Sequence, residues 1–253
     1  MVKSADRVMA VLDLVAERGP LPFSEIAAAL ALPKSSAHSL LRTMERRGYV
    51  ALDADRRYSL GSRMWELAQA VPQVEDLRTL LKPLMDEAVQ RTGETVQLAT
   101  LDGVSAVYLA LSESPHPVKL TSRAGVRLPA HTSAIGKALL AELDPAEAAR
   151  RLKGARLARR TEHTIASVPA LLAELERTRE RGYAVDNEEF AIGLRCIGVP
   201  IRDVDGRPVA ALSASMPTPR YSRSAAANAR AALADAQATA AAALGHWQGD
   251  GRG

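Results

Sequence analysis

Hydrophobic residues near the start of the chain recur at the spacing of short amphipathic helices. A first helix is indicated by the helical period of Val8, Val11, Leu12 and Val15. Gly19-Pro20 ends this helix, and Ser24, a favourable N-cap residue, is predicted to start a second one. A third helix is predicted from Lys34 to about Arg47, and Gly48 closes it.

A hairpin and a long helical stretch follow these three helices. Residues 49–52 and 56–60 are short strand-like runs on either side of an Asp53-Ala54-Asp55 turn. Residues 61 to about 92 return to a helical period, which Val71-Pro72 interrupts. The resulting boundaries are a first domain at residues 1–61, a linker helix at 62–74 and a second domain at 75–253.

The second part of the chain mixes strands with helices. One hairpin is predicted from residues 95–101 and 106–111 around Asp102-Gly103, and another from residues 196–202 and 208–216 around Asp205-Gly206. Residues 118–120 are a further strand candidate. Helices are predicted after Thr132-Ser133 and Asp144, at about residues 169–181, and from Ser222 to about Leu244. The whole pattern predicts an α+β protein.

The composition of the chain is that of a globular protein. Of 253 residues, 47% are hydrophobic and 25% are charged, which is typical of a globular protein with a real core. The net charge of +4 permits a polyanionic partner without requiring one. The single cysteine, Cys196, excludes an intrachain disulfide and a cysteine-cage zinc site. Since no signal peptide or membrane-spanning run is evident, we expect a cytoplasmic protein without membrane association.

The third predicted helix carries the clearest functional pattern. Its apolar stripe is Ala37, Leu40, Leu41 and Met44, and its opposite stripe is polar and basic. Such a helix suits the major groove of double-stranded DNA. We expect base contacts from Ser35, Ser36, His38 and Ser39, and phosphate contacts from Lys34, Arg42 and Arg46 and from Arg56 and Arg57 at the hairpin tip. The alternative is an amphipathic three-helix fragment with a solvated polar face.

Several runs resemble one family in the correct order along nearly the whole chain. Residues 24–27, 32–41 and 48–50 resemble the winged helix-turn-helix of isocitrate-lyase-regulator (IclR) type transcription factors, and residues 128–141, 182–189 and 193–200 resemble their effector domain. The resemblance implies a winged helix-turn-helix, a linker helix and a GAF-like α/β effector-binding domain. It also implies dimers or tetramers that regulate nearby catabolic operons, with repression as the favoured mode. Ser39 stands where many relatives have arginine, so no relative's operator sequence can be transferred.

An effector site is expected at the helix that begins after Ser133. The backbone N–H groups of Ala134, Ile135 and Gly136 lack intrahelical acceptors, so they favour a carboxylate. The resemblance places Ala134, Ile135, Asp186, Cys196, Ser213 and Ser215 around a small carboxylate-bearing effector. Leu98, Leu120 and Met216 are suggested as apolar walls. Few aromatic residues are available, which favours aliphatic walls over an aromatic cage but leaves aromatic acids open as ligands.

Three alternatives to a regulator are a hydrolase, a metal-binding protein and a structural DNA-binding protein without a ligand. A hydrolase could use Ser133 or Ser213 with His131, but the chain has no Gly-x-Ser-x-Gly elbow and no Walker loop, so no enzyme is expected. His131 is instead expected to bond locally before the helix. A metal site at Asp186, Glu188 and Glu189 lacks matching histidines, so neither metal nor cofactor is expected. A ligand-free structural DNA-binding protein would not need so large a second domain.

Two further features concern assembly. A basic run without acids, comprising Arg150, Arg151, Lys153, Arg156, Arg159 and Arg160, is interpreted as a solvated helix and loop. A second DNA contact or an oligomer contact is the alternative. Because one short recognition helix contacts few base pairs, a homodimer or tetramer on an inverted-repeat operator is expected.

Overall fold

The computed structural model describes the backbone of residues 2–69 and 72–245. It describes the side-chain environments of residues 2–68 and 77–245. The chain divides into two compact units, Met1–Glu75 and Asp76–Gly253. The predicted interruption at Val71-Pro72 falls partly outside the described residues, as does part of the predicted linker at 62–74. None of the described helices combines the length and apolarity needed to cross a lipid bilayer.

The first unit is a winged helix-turn-helix. Its helices are α1 (Lys3–Arg18), α2 (Phe23–Ala29), α3 (Lys34–Arg46) and α4 (Ser62–Gln69), and its strands are β1 (Leu21–Pro22), β2 (Val50–Leu52) and β3 (Arg57–Leu60). The antiparallel sheet has the order β1-β3-β2. The three predicted helices and the hairpin are confirmed.

Two details of the first unit differ from the prediction. Helix α2 begins at Phe23 with Pro22 as its N-cap, so Ser24 lies inside the helix and caps nothing. Strand β1 was not predicted, because two residues are too few to show a period. It exists through pairing of Leu21 with Tyr58 and of Pro22 with Arg57.

The core of the first unit explains the orientation of α3. Ala37, Leu41 and Met44 are buried, and they pack towards side chains that include Val11 and Ile26. The apolar stripe therefore faces inward as its spacing predicts, and the opposite stripe of α3 is left exposed.

The second unit is an α+β domain. In chain order its elements are α5 (Pro72–Thr92), β4 (Thr95–Asp102), β5 (Ser105–Ser112), β6 (Arg127–Pro129), α6 (Ala134–Ala141), α7 (Pro145–Leu152), α8 (Val168–Arg181), β7 (Ala184–Asn187), β8 (Leu194–Arg202), β9 (Pro208–Pro217) and α9 (Arg223–Leu244). The six-stranded antiparallel sheet has the order β6-β5-β4-β9-β8-β7. Helix α6 packs on β4, β8 and β9 on one face, and α9 packs on β8 and β9.

Both predicted hairpins and the predicted helices of this unit are confirmed, but the third strand is wrong. Residues 118–120 are irregular, and the strand beside β5 is β6, which pairs with residues 105–107. Three residues with Lys119 at the centre give too short an alternation to define a strand. Strand β7 was not predicted, because its four residues include the buried polar Asp186.

Candidate functional sites

The exposed face of α3 gathers most of the predicted DNA-contacting residues. The side chains that the structure leaves exposed are Lys34, Ser35, Ser36, His38, Ser39, Arg42, Arg46, Arg56 and Arg57. Arg56 lies in the turn before β3, with a left-handed φ of 59°. Among the described residues, no carboxylate forms an ion pair with Lys34, Arg42 or Arg46, so these cations remain available to an anionic partner.

Two of these side chains are held in place by neighbours. The His38 ring meets the Phe23 ring edge-on, with 6.2 Å between centroids. Arg57 Nε donates to the carbonyl of Pro20 at 3.1 Å, which fixes the tip end of the hairpin beside β1. That bond uses only the Nε–H group, so the terminal N–H groups of the Arg57 guanidinium can still donate to a phosphate.

A cavity of about 120 Å³ lies between the start of α6 and the sheet of the second unit. It is lined by all six predicted effector residues, Ala134, Ile135, Asp186, Cys196, Ser213 and Ser215. Its apolar wall also includes Leu120, as predicted, and Tyr108, Leu128 and Phe190, which were not. An engineered cavity of about 150 Å³ binds benzene, so this volume suits one small organic molecule.

Leu98 and Met216 do not line the cavity, contrary to the prediction. Met216 follows Ser215 on β9 and therefore points to the opposite face of the sheet. Gln97 pairs with Ser213, which lines the cavity. Its neighbour Leu98 pairs with Leu212, and because successive side chains of a strand point to opposite faces, Leu98 faces away from the cavity.

The outer wall of the cavity comes from the irregular segment between β5 and β6. Leu120, Thr121, Ser122 and Val126 of this segment line the cavity. Arg220 anchors the segment, because its guanidinium donates to the Val118 carbonyl at 2.8 Å while it binds both carboxylate oxygens of Glu94 at 2.6 Å.

The start of α6 offers two backbone donors to the cavity. Ser133 is the N-cap, and its hydroxyl accepts from the Gly136 amide at 3.2 Å. The Gly136 N–H is therefore not free, contrary to the prediction. The first intrahelical bond runs from the Lys137 amide to the Ser133 carbonyl, so the amides of Ala134 and Ile135 lack intrahelical acceptors.

Two glycines allow α6 to lie this close to its neighbours. A Cβ on Gly198 of β8 would lie 2.8 Å from the Ala134 carbonyl oxygen. A Cβ on Gly136 would lie 2.3 Å from the Ala130 carbonyl oxygen. Both distances are far below van der Waals contact, so the position of the two free amides depends on glycine at these sites.

The two serines of β9 are already engaged by a glutamine. Ser213 Oγ and Ser215 Oγ donate to Gln97 Oε1 at 2.8 and 3.1 Å. The protons of both hydroxyls therefore point to Gln97 and not to the cavity, and their oxygens remain as acceptors. Gln97 was missed, although a polar residue within the apolar run of β4 is a signal for a buried hydrogen bond.

Asp186 is the least satisfied polar group of the cavity. Its side chain is fully buried, and its Oδ1 accepts from the amides of Glu189 at 2.7 Å and Phe190 at 3.4 Å. Oδ2 has no hydrogen-bond partner among the described residues. Burial raises the pKa of Asp186 to about 7, so near neutral pH its Oδ2 can donate a proton to a ligand.

The neighbouring Cys196 is a buried thiol. Its Sγ lies 3.2 Å from Ser215 Oγ, and burial raises the pKa of the thiol well above its ordinary value. Cys196 therefore remains a neutral, weakly polar part of the wall.

A buried ion pair joins α6 to the segment after β7. Lys137 is fully buried, and its Nζ lies 2.5 and 2.6 Å from the two carboxylate oxygens of Glu189. Glu188 accepts from the Gly193 amide at 2.7 Å. The described residues contain no cluster of three metal-binding side chains. Glu188 and Glu189 are thus both engaged by partners within the protein. Lys137 was not anticipated, because burial of a lysine has no sequence signal.

His131 bonds to a distant segment and not locally as predicted. It is buried just before α6, and its Nε2 lies 3.2 Å from the Ala158 carbonyl. Burial lowers the pKa of His131, which keeps the ring neutral. None of the described hydrogen bonds joins His131 to Ser133 or Ser213, so the geometry of a serine hydrolase is not assembled in the described part of the chain.

Comparisons with known proteins agree with this architecture. The model of the IclR helix-turn-helix domain matches residues 4–54. The model described as bacterial transcriptional regulator IclR C-terminal matches residues 69–242.

Individual relatives match over most of their length. XynR of Escherichia coli, an HTH-type transcriptional regulator, is 38% identical over 97% of this chain and 98% of its own. KdgR of Escherichia coli is 39% identical over 87% of this chain and 84% of its own. An IclR homolog from Microbacterium hydrocarbonoxydans, solved with 4-hydroxybenzoate, has a TM-score of 0.81 and 30% identity over 94% of this chain and 99% of its own. The protein therefore belongs to the IclR family and is a DNA-binding transcriptional regulator, not an enzyme.

Proposed function

We propose that this regulator is an effector-responsive repressor of a nearby catabolic operon in the cytoplasm, with a small carboxylate-bearing organic acid as its effector. The observation that carries the proposal is the cavity at the start of α6, whose wall combines two helix amides without intrahelical acceptors with the unsatisfied Oδ2 of Asp186. Operator DNA is assigned to the first unit, with residues 1–61 as the DNA-binding domain, 62–74 as the linker helix and 75–253 as the effector-binding and oligomerisation domain.

DNA recognition is assigned to the exposed face of α3 and to the hairpin. The serines and His38 in the first two turns are small or flat donors suited to base edges. Lys34, Arg42 and Arg46 are exposed cations on the same face, suited to phosphates. One such helix covers few base pairs, so we further propose a homodimer or tetramer on an inverted-repeat operator.

Arg46→Ala tests the orientation of α3. Removal of one cation from a phosphate should weaken binding to every duplex sequence and reduce the slope of log K against log salt by about 0.9. The measurement is a fluorescence anisotropy titration over a salt series. Arg18→Ala is the control, because it removes an exposed cation from α1 in the same unit. An unchanged slope in Arg46→Ala would show that α3 is docked differently.

The cavity also limits the class of effector. The ligand carboxylate is assigned to the amides of Ala134 and Ile135 at the helix start. The oxygens of Ser213 and Ser215 accept hydrogen bonds, so they favour a ligand hydroxyl, and protonated Asp186 donates to a ligand oxygen. The ligand of the Microbacterium relative, 4-hydroxybenzoate, carries both a carboxylate and a hydroxyl, which supports this class.

Ser213→Ala/Ser215→Ala tests the sheet side of the cavity. Loss of two neutral hydrogen bonds at about 0.5–1.5 kcal/mol each should weaken effector binding by roughly 5- to 150-fold. A thermal-shift screen of 4-hydroxybenzoate and small aliphatic hydroxy acids would identify the strongest ligand, which is then titrated by calorimetry.

The matched control for the serine variant is Ser112→Ala. Ser112 is also a buried serine of the sheet, but its hydroxyl donates to Asp86 at 2.7 Å away from the cavity. Operator affinity without ligand should stay near the wild-type value in both variants. Equal ligand affinity in the serine double variant and the wild type would place the effector elsewhere.

A further inference from the structure

We propose that the connection between α7 and α8, at residues 153–160, is a second phosphate-binding surface for duplex DNA, in addition to the α3 face. Lys153, Arg156, Arg159 and Arg160 lie within these eight residues, and no acidic residue lies among them. All four side chains are exposed. The surface belongs to the second unit, where the proposed function places only effector binding and self-association.

These cations differ from most others of the second unit because they lack carboxylate partners. Arg202 pairs with Glu142, Arg220 with Glu94 and Arg91 with Asp235. Even Arg150 and Arg151, just before the connection, both bind Glu147. Within the part of the chain that the structure describes, no ion pair involves Lys153, Arg156, Arg159 or Arg160. The guanidinium of Arg159 donates only to a backbone carbonyl, that of Glu162, at 3.2 Å. Positive charge is therefore concentrated here without ion-pair partners among the described residues.

The connection is also held in a defined conformation. Leu157 packs against the core formed by α6, α7 and α8, and the Ala158 carbonyl lies 3.2 Å from His131 Nε2. The Arg160 guanidinium lies 4.2 Å from the centre of the Phe190 ring and donates through Nε to the Phe190 carbonyl at 3.2 Å. The anchored backbone presents Lys153 and Arg156 at fixed places, which lowers the entropy cost of binding an anion.

The chemistry of the surface favours a nucleic acid backbone over a protein. No large hydrophobic side chain of residues 150–160 is exposed among the described residues, whereas the core of a protein interface is enriched in aromatic and apolar groups. Phosphate contacts need only lysine and arginine and no apolar anchor. Since the protein is a DNA-binding regulator, duplex DNA is the polyanion that it meets.

The experiment compares two double variants of the full-length protein on a random-sequence duplex, because phosphate contacts do not depend on sequence. Lys153→Gln/Arg156→Gln should reduce the salt slope by about 1.8 per bound protomer, since each phosphate that is no longer neutralised accounts for about 0.9. Arg150→Gln/Arg151→Gln is the matched control, because it removes the same number of cations but both of them are held by the Glu147 carboxylate, so its slope should fall less than that of Lys153→Gln/Arg156→Gln.

Two outcomes would overturn the proposal: an unchanged slope in Lys153→Gln/Arg156→Gln, or an equal reduction in both double variants. If the slope is unchanged and self-association is weaker in sedimentation, the surface is a contact between copies of the chain. If Arg46→Ala changes the slope and Lys153→Gln/Arg156→Gln does not, DNA binding by the first unit stands and the second surface alone fails.

Discussion

Glu189→Gln is expected to destabilise the second unit by about 3–5 kcal/mol, because it leaves the ammonium group of Lys137 buried without a counterion. Lys137 is fully buried, and both Glu189 oxygens lie within 2.6 Å of its Nζ. Glutamine keeps the shape and one acceptor of the carboxylate but not its charge. The measurement is differential scanning calorimetry, with hydrogen exchange of α6 and β8 to assign the loss to the second unit.

A matched control and a rescue separate charge from packing. Glu142→Gln breaks the pair with Arg202, whose side chain is 43% exposed, so its cost should be about 0–1 kcal/mol. Replacing both partners, as in Lys137→Met/Glu189→Leu, should recover most of the stability that Glu189→Gln removes, since no buried charge is left unpaired. Wild-type stability in Glu189→Gln would show that the pair does not hold α6 to the segment after β7.

Elements with a local signal were predictable from sequence. Ser133 and Asp144 mark the starts of α6 and α7, because their side chains accept from amides of the first turn. Strands β1, β6 and β7 were missed or misplaced, because two to four residues define no period and exist only through pairing with distant partners.

Some residues of the candidate cavity could be predicted from sequence motifs, whereas others have roles that depend on contacts with distant parts of the chain. Residues such as Asp186 and Ser213 were identified through family resemblance, and the fold brings them together. The role of Lys137 was not predicted, because nothing local distinguishes a buried lysine from an exposed one. Gln97 was missed although a polar residue within the apolar run of β4 indicates a buried hydrogen bond, and the direction of the Ser213 and Ser215 protons depends on this acceptor.

Asp186→Asn is expected to stabilise the protein at pH 8 by up to about 4 kcal/mol and to remove a pH dependence of its stability. The folded-state pKa of Asp186 is raised by burial to about 7, whereas an unfolded aspartate has a pKa of about 3.9. Below pH ~4 the carboxyl is protonated in both states. As the pH rises from about 4 to about 7, the carboxyl ionises in the unfolded state but not yet in the folded state, and the free energy of unfolding falls. Above pH 7 the carboxyl is ionised in both states, and its contribution to the free energy of unfolding stays constant.

The Asp186 carboxyl should also make effector binding depend on pH. An anionic ligand in the cavity of about 120 Å³ disfavours ionised Asp186, so binding above pH 7 requires uptake of a proton. Apparent affinity should then fall by up to about tenfold per pH unit above 7 in the wild type, since one proton is taken up per ligand. In Asp186→Asn this decline should be absent.

Asp203→Asn provides the control for the ligand-binding measurement. Asp203 is also buried, its Oδ1 accepts from the amides of Asp205 and Arg207 at 2.9 Å, and its Oδ2 has no hydrogen-bond partner among the described residues. It does not line the cavity, so its replacement should leave the pH profile of ligand binding unchanged. Calorimetric titrations from pH 6 to 9 in buffers of different ionisation enthalpy would count the protons taken up. Zero uptake by the wild type at pH 8 would mean that the ligand carboxylate and Asp186 do not share the cavity.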